Sequence, residues 1–132
     1  MGSVIVVVVI AVATFVGVPV MVDRASVDLK AGRFEAAHRT LRPLANLGVS
    51  TAQYLMGHSY AFGEGVPEDV DQALYWFRRA NIEGCTKLDP GLVAAHFVAK
   101  QFADFPGPQN AERAARWKAL AAESDYQEGK GC

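Results

Sequence analysis

The side chains of this 132-residue chain that could do chemistry are three histidines, two cysteines and a short run of acids. His38, His58 and His96 could act as bases or metal ligands. None has a second histidine three or four residues away, or an acid at a metal-ligand spacing, so the pattern predicts neither a metal site nor a general base. Glu68, Asp69 and Asp71 could be imagined as paired carboxylates, but acids in the first turn of a helix are what capping and the helix dipole favour. No serine or cysteine sits in a GxSxG elbow, and the glycine-rich loop GEGVPE (63–68) lacks the lysine that would meet a phosphate. The residues therefore predict a noncatalytic chain with no cofactor. Cys85 and Cys132 are too few for a disulfide framework; they could pair in an oxidising compartment and would stay reduced in the cytoplasm, and sequence leaves both states open.

Charge divides the chain in two. Seventeen of the first 22 residues are hydrophobic, and no charged side chain precedes Asp23. Val4 to Val22 is 19 residues without a charge, enough as a helix to match a hydrocarbon core of about 30 Å. Residues 1–22 thus read as a transmembrane helix or signal-anchor, in contact with the lipid bilayer through residues 4–22. Ala11-Val12-Ala13 is a small-x-small site that would allow the alternative, a cleaved export signal, but no basic residue precedes the apolar run. Arg24, Lys30, Arg33, Arg39 and Arg42 follow the run and no Lys or Arg precedes it, which favours a cytoplasmic domain, with the other side as the alternative. The net charge of −1 offers no positive field for a phosphate backbone, so nucleic acid is not an expected partner.

The elements that must position any site are helices. After Asp23 the apolar residues recur three and four apart, and no stretch alternates like a strand. Ser50 with Gln53 and Asp69 with Gln72 have capping-box spacing; Gly63 and Gly84 stop the two helices so opened. Asp89-Pro90 and Asn110 mark two further helix starts, and Pro43 should kink or restart a helix near Arg42. The unit repeats: a shift of 36 residues places Ala37, Leu41, Leu44 and Gly48 on Ala73, Phe77, Ala80 and Gly84, and a shift of 41 places Ala114, Trp117 and Ala121 on Ala73, Trp76 and Ala80. This predicts an all-α fold: a short solenoid of two to three helix pairs over 23–126 (about 24–48, 49–84 and 89–126), then a polar tail, 127–132, that frays unless it docks.

The stretch from Ala31 to Gly84 resembles the Sel1-like repeat family, relatives of the tetratricopeptide repeats. The residues that carry the likeness are Ala52, Met56-Gly57, Tyr60, Gly63-Glu64-Gly65-Val66, Asp69, Ala73, Trp76-Phe77 and Ala80. Met56 stands where the family has leucine. In the last unit Phe105-Pro106-Gly107-Pro108 replaces the glycine loop and Lys118 the second aromatic, which reads as a terminal cap. The resemblance implies a protein–protein interaction module.

In stacked pairs the first helix of each unit lines the concave side. That places Gln53, Tyr54, His58 and Phe62, with His96 and Lys100, as candidate partner-binding residues, and leaves Arg78-Arg79 as a solvated helix face. Together these features predict a membrane-anchored accessory or assembly subunit of a larger membrane protein complex, the span packing through Ala11, Ala13 and Gly17. The alternative is a secreted soluble regulator after signal cleavage.

Overall fold

The computed structural model describes residues 17–130 and Cys132. Among these residues are six α-helices and no strand: α1 (residues 17–30), α2 (Phe34–Asn46), α3 (Ser50–Phe62), α4 (Val70–Ala80), α5 (Pro90–Asp104) and α6 (Pro108–Ala121). From α2 onward each helix packs on the next, giving three stacked helix pairs.

The adjacent aromatics of α4 organise the core. Successive helical residues point about 100° apart, so Trp76 and Phe77 must face different neighbours. Trp76 joins a cluster with Val22, Ala25 and Leu29 of α1, Leu41 and Leu44 of α2, and Met56 of α3. Phe77 joins a second cluster with Val98 and Phe102 of α5 and Trp117 of α6. Tyr60 packs against both. The repeat shifts seen in the sequence are thus equivalences of burial: Ala37 and Leu41 are enclosed like Ala73 and Phe77, and Trp117 like Trp76.

Gly57 lets α3 and α4 approach. A Cβ there would lie 2.7 Å from a ring carbon of Phe77, closer than carbon atoms pack. In the connection that follows, Gly63 (φ 69°) caps α3 and Gly65 (φ 73°) holds the left-handed region that glycine tolerates best. Gly65 also lies against Phe34, where a Cβ would collide. The loop is clamped at its far end by the Asp69 N–H donating to the Tyr60 carbonyl at 2.9 Å.

Several local expectations change. Asp69 caps α4 by accepting from the Gln72 N–H at 2.9 Å, and Asp89 caps α5 by accepting from the Gly91 N–H at 2.8 Å, with Pro90 in the first turn. Ser50 does not cap α3: the N-cap is Val49, and Gln53 turns inward to donate to the Ala45 carbonyl at 3.0 Å, satisfying the end of α2 instead. α4 ends at Asn81 (φ 40°) rather than at Gly84; the Asn81 side chain holds the next loop through both the N–H and the carbonyl of Cys85. Gly107, not Asn110, precedes α6. α2 runs through Pro43 without restarting. The proline is on the exposed face, while Leu41, Leu44 and Ala45 are buried behind it, so packing outweighs one lost hydrogen bond.

Helix α1 crosses the expected boundary at residues 22 and 23 without a break. Val22 is buried in the first cluster and Val18 packs against it, so the end of the apolar run belongs to the repeat fold. Among the described residues no helix is long and apolar enough to cross a membrane. Residues 4–16 of the expected span, with Ala11 and Ala13, lie outside the described residues.

The contact at Gly57 sets a stability test. Alanine improves helix propensity by about 1 kcal/mol, whereas overpacking a filled core costs about 1–3 kcal/mol. Phe77 is 2% exposed and packed among Val98, Phe102 and Trp117, so the cost should win. Gly57→Ala should lower the urea midpoint at unchanged slope, by up to about 2 kcal/mol of stability; an unchanged or raised midpoint would show that the ring gives way.

Candidate protein-binding surface

One of the three histidines predicted to be inert by spacing makes a buried polar contact. His38 on α2 and Ser59 on α3 are hydrogen-bonded, Nε2 to Oγ, at 3.0 Å. A serine beside a histidine is half of a nucleophilic pair, but Ser59 is 0% exposed, so no substrate reaches its hydroxyl. The contact is a polar rivet between the first and second pairs. Burial, then the nearby Arg42 guanidinium, hold the His38 pKa below its ordinary value; Glu64 opposes them but does not prevail.

The six candidate residues do not form one patch. Gln53 is removed from the set: it is buried and its amide is spent on α2. Tyr54 is half-buried against Phe77, ring centroids 5.6 Å apart, and lines a cleft of about 200 Å³ between α3 and α5 with Ile82, Pro90 and Phe97. Burial, then the Glu83 carboxylate, push its phenol pKa up. His58 lies 3.1 Å from Glu64 and stacks on Phe62, which stacks on Phe102 at 4.4 Å. Arg113 covers Phe102, its guanidinium carbon 5.7 Å from the ring centroid. These aromatics knit α3, α5 and α6 together.

His96 and Lys100 are brought together on the outer side of α5, one turn apart, and both face the C-terminal tail. Lys100 Nζ donates to Glu128 Oε1 at 3.1 Å, and His96 Nε2 is 3.6 Å from Glu128 Oε2. The hydrogen bond and charge of Lys100, with His96 adding to them, hold the Glu128 carboxyl below its usual range. The Tyr126 ring packs on His96 at 5.5 Å and Phe97 at 5.8 Å. Beside it opens a groove of about 670 Å³ between α5 and α6, floored by Ala99, Ala103, Ala114 and Ala121 and flanked by Lys100 and Lys118. Ala114 and Ala121 read in sequence as repeat positions, and the tail as a polar end, so the groove was not legible. Its only linear signals are the i, i+4 alanines 99 and 103 and the cysteine that ends the tail.

That cysteine anchors the tail. Cys132 is joined to the buried Cys85 as a disulfide, with Cα atoms 5.1 Å apart across 47 residues, a separation ordinary for the bond. The tail is therefore docked at both Glu128 and Cys132.

Other charged groups serve the scaffold. Arg78, expected on a solvated face, donates through Nε to both carboxylate oxygens of Asp89 at 3.0 and 2.9 Å and so pins the start of α5. Burial alone would raise the Asp89 pKa, but these bonds and the Gly91 N–H leave it lowered. Arg79 lies over the rings of Tyr75 and Trp76. Glu68 bridges to Arg113 at 2.9 Å and Arg116 at 3.8 Å, tying the second pair to α6. Among the described residues no group of three or more His, Cys, Asp and Glu side chains could hold a metal ion.

The Sel1 repeat family matches residues 50–85 and 93–126, which are the α3–α4 and α5–α6 pairs. The chain belongs to the Sel1 repeat family, and its repeats make it a protein–protein interaction module. The last pair, expected as a degenerate cap, is thus a recognised repeat, while the first pair lies outside the matched segments. No curated protein and no solved structure matches the chain.

The rivet should make stability pH-dependent. A histidine whose folded pKa is depressed resists protonation in the fold, so the unfolded chain binds more protons as pH falls below about 6.5. The contribution of His38 is present above that value and is lost as pH falls toward its lowered folded pKa. Thermal unfolding should show Tm rising from pH 5 to pH 7.5, and His38→Gln should flatten that rise. An equally steep rise in the variant would assign the dependence elsewhere.

Proposed function

We propose that the chain is a noncatalytic docking module that presents its helical pairs to a protein partner outside the cytoplasm, carried there by its apolar N-terminal run. The observation that carries this reading is the Cys85–Cys132 disulfide, since such bonds persist in oxidising compartments and are rare where thiols are kept reduced. It favours the side opposite to the one that the basic residues after the run favour. Docking is supported by the repeat itself and by the half-exposed His96, Lys100 and Tyr126 beside the alanine groove.

A second reading, a membrane-anchored accessory subunit of a larger membrane complex, draws on the 19 uncharged residues from Val4 to Val22. Val18 and Val22 are engaged in the repeat core.

The full chain, expressed in its native cell with a tag beyond Cys132, separates these readings. Mild-detergent purification should yield a stoichiometric protein partner, with both cysteines resistant to alkylation until a reductant is added. The exported form should have lost its N-terminal residues by intact mass, whereas a full-length chain confined to membranes would favour the anchored subunit. Two freely alkylated thiols would overturn the oxidising compartment, and a chain isolated alone would overturn docking.

A further inference from the structure

The tail that closes on α5 has the form of a bound peptide. Tyr126 rests on His96 and Phe97, and two residues later Glu128 meets Lys100 and His96. An aromatic ring on a mixed aromatic surface and a carboxylate hydrogen-bonded to Lys100 with the His96 ring 3.6 Å away make one recognition unit, and both halves are supplied by a segment that lies beyond the last helix. Exposed ion pairs of this kind add little net stability; Lys100 and Glu128 side chains are 58% and 54% exposed. The carboxylate can therefore be exchanged for another at small cost. What keeps the segment in place is the covalent link at Cys132, which gives the tail a high effective concentration at this surface.

We infer that the face formed by His96, Phe97, Lys100 and the neighbouring alanine groove is a docking site for a protein segment carrying an aromatic residue followed two positions later by a carboxylate, and that the chain's own Tyr126-Gln127-Glu128 occupies it in place of that partner. The occupant is set by charge and shape: Lys100, Lys118 and His96 surround the site, and the floor of Ala99, Ala103, Ala114 and Ala121 leaves room for an apolar side chain next to the carboxylate. This rests on the docking reading above and names the chemistry of the partner.

The probe is a fluorescein-labelled peptide of residues 123–130, the chain's own tail, titrated by anisotropy into the full chain. The oxidised wild-type chain should bind it weakly, because its tethered tail competes. A chain carrying Glu128→Gln and Cys132→Ser should bind at least about tenfold more tightly, a modest part of what tethering can supply. Binding should weaken with salt and be lost with Lys100→Glu, an exposed change that leaves the thermal midpoint near wild type, and with Tyr126→Ala in the peptide. Equal binding by the two chains, or binding indifferent to Lys100→Glu, would overturn the inference. So would dimerisation of the Cys132→Ser chain through exchanged tails, since the occupant would then be a second copy. If the native partner co-purifies but is not displaced by excess peptide, this site is wrong while docking stands; if no partner co-purifies although the peptide binds as described, docking fails and the site remains.

Discussion

The structure depends on two neighbouring side chains that cannot face the same way. Trp76 and Phe77 lie about 100° apart around α4, and one enters the core of the first pair while the other enters that of the third. The second pair is thereby common to both cores, and Gly57 is the concession that brings α3 close enough for Phe77 to fit. Two helices alone could not bury both rings, so the stack is a requirement of the aromatic pair and not an addition to it. Polar contacts then fix the register between pairs: His38 with Ser59 and Gln53 with Ala45 on one side, Arg78 with Asp89 and Glu68 with Arg113 on the other.

The same logic explains the surface. The aromatic residues of α3 are drawn inward by stacking from His58 through Phe62 to Phe102, which leaves fewer free side chains there than the helical spacing implies. The available chemistry moves to α5 and α6, where small residues leave a groove and two lysines flank it. The tail supplies an aromatic ring and a carboxylate to that face, held by its disulfide. The His38–Ser59 contact is sealed from solvent and serves the scaffold. Binding needs only the rim.

The helix pairs and their repeat were legible because burial is periodic: Ala37, Ala73, Leu41 and Phe77 recur where the fold needs small and large residues. Asp69, Asp89-Pro90 and Gly63 were legible because each acts within one turn of itself. The failures share a cause, which is competition from beyond the local segment. Gln53 has capping-box spacing from Ser50, yet the end of α2 offers its amide a buried acceptor. Asn81 stops α4 before Gly84 because its side chain also holds Cys85. Pro43 is tolerated because the opposite face of α2 is buried. Of the candidate surface, His96 and Lys100 were legible as a pair on α5. Their partner Glu128 lies 28 residues beyond Lys100, and no helical period reaches that far.

The central claim is that α4 joins two cores into one folding unit that includes α1 from the end of the apolar run. Native-state hydrogen exchange on the full chain tests it directly, because amides that open only in global unfolding share one free energy. The account predicts that amides around Val22–Leu29 in α1, Met56–Ala61 in α3, Ala73–Phe77 in α4 and Val98–Phe102 in α5 exchange slowly and with the same dependence on denaturant. Rapid exchange throughout α1, with protection confined to α3 to α6, would contradict it and return residues 17–22 to the apolar segment.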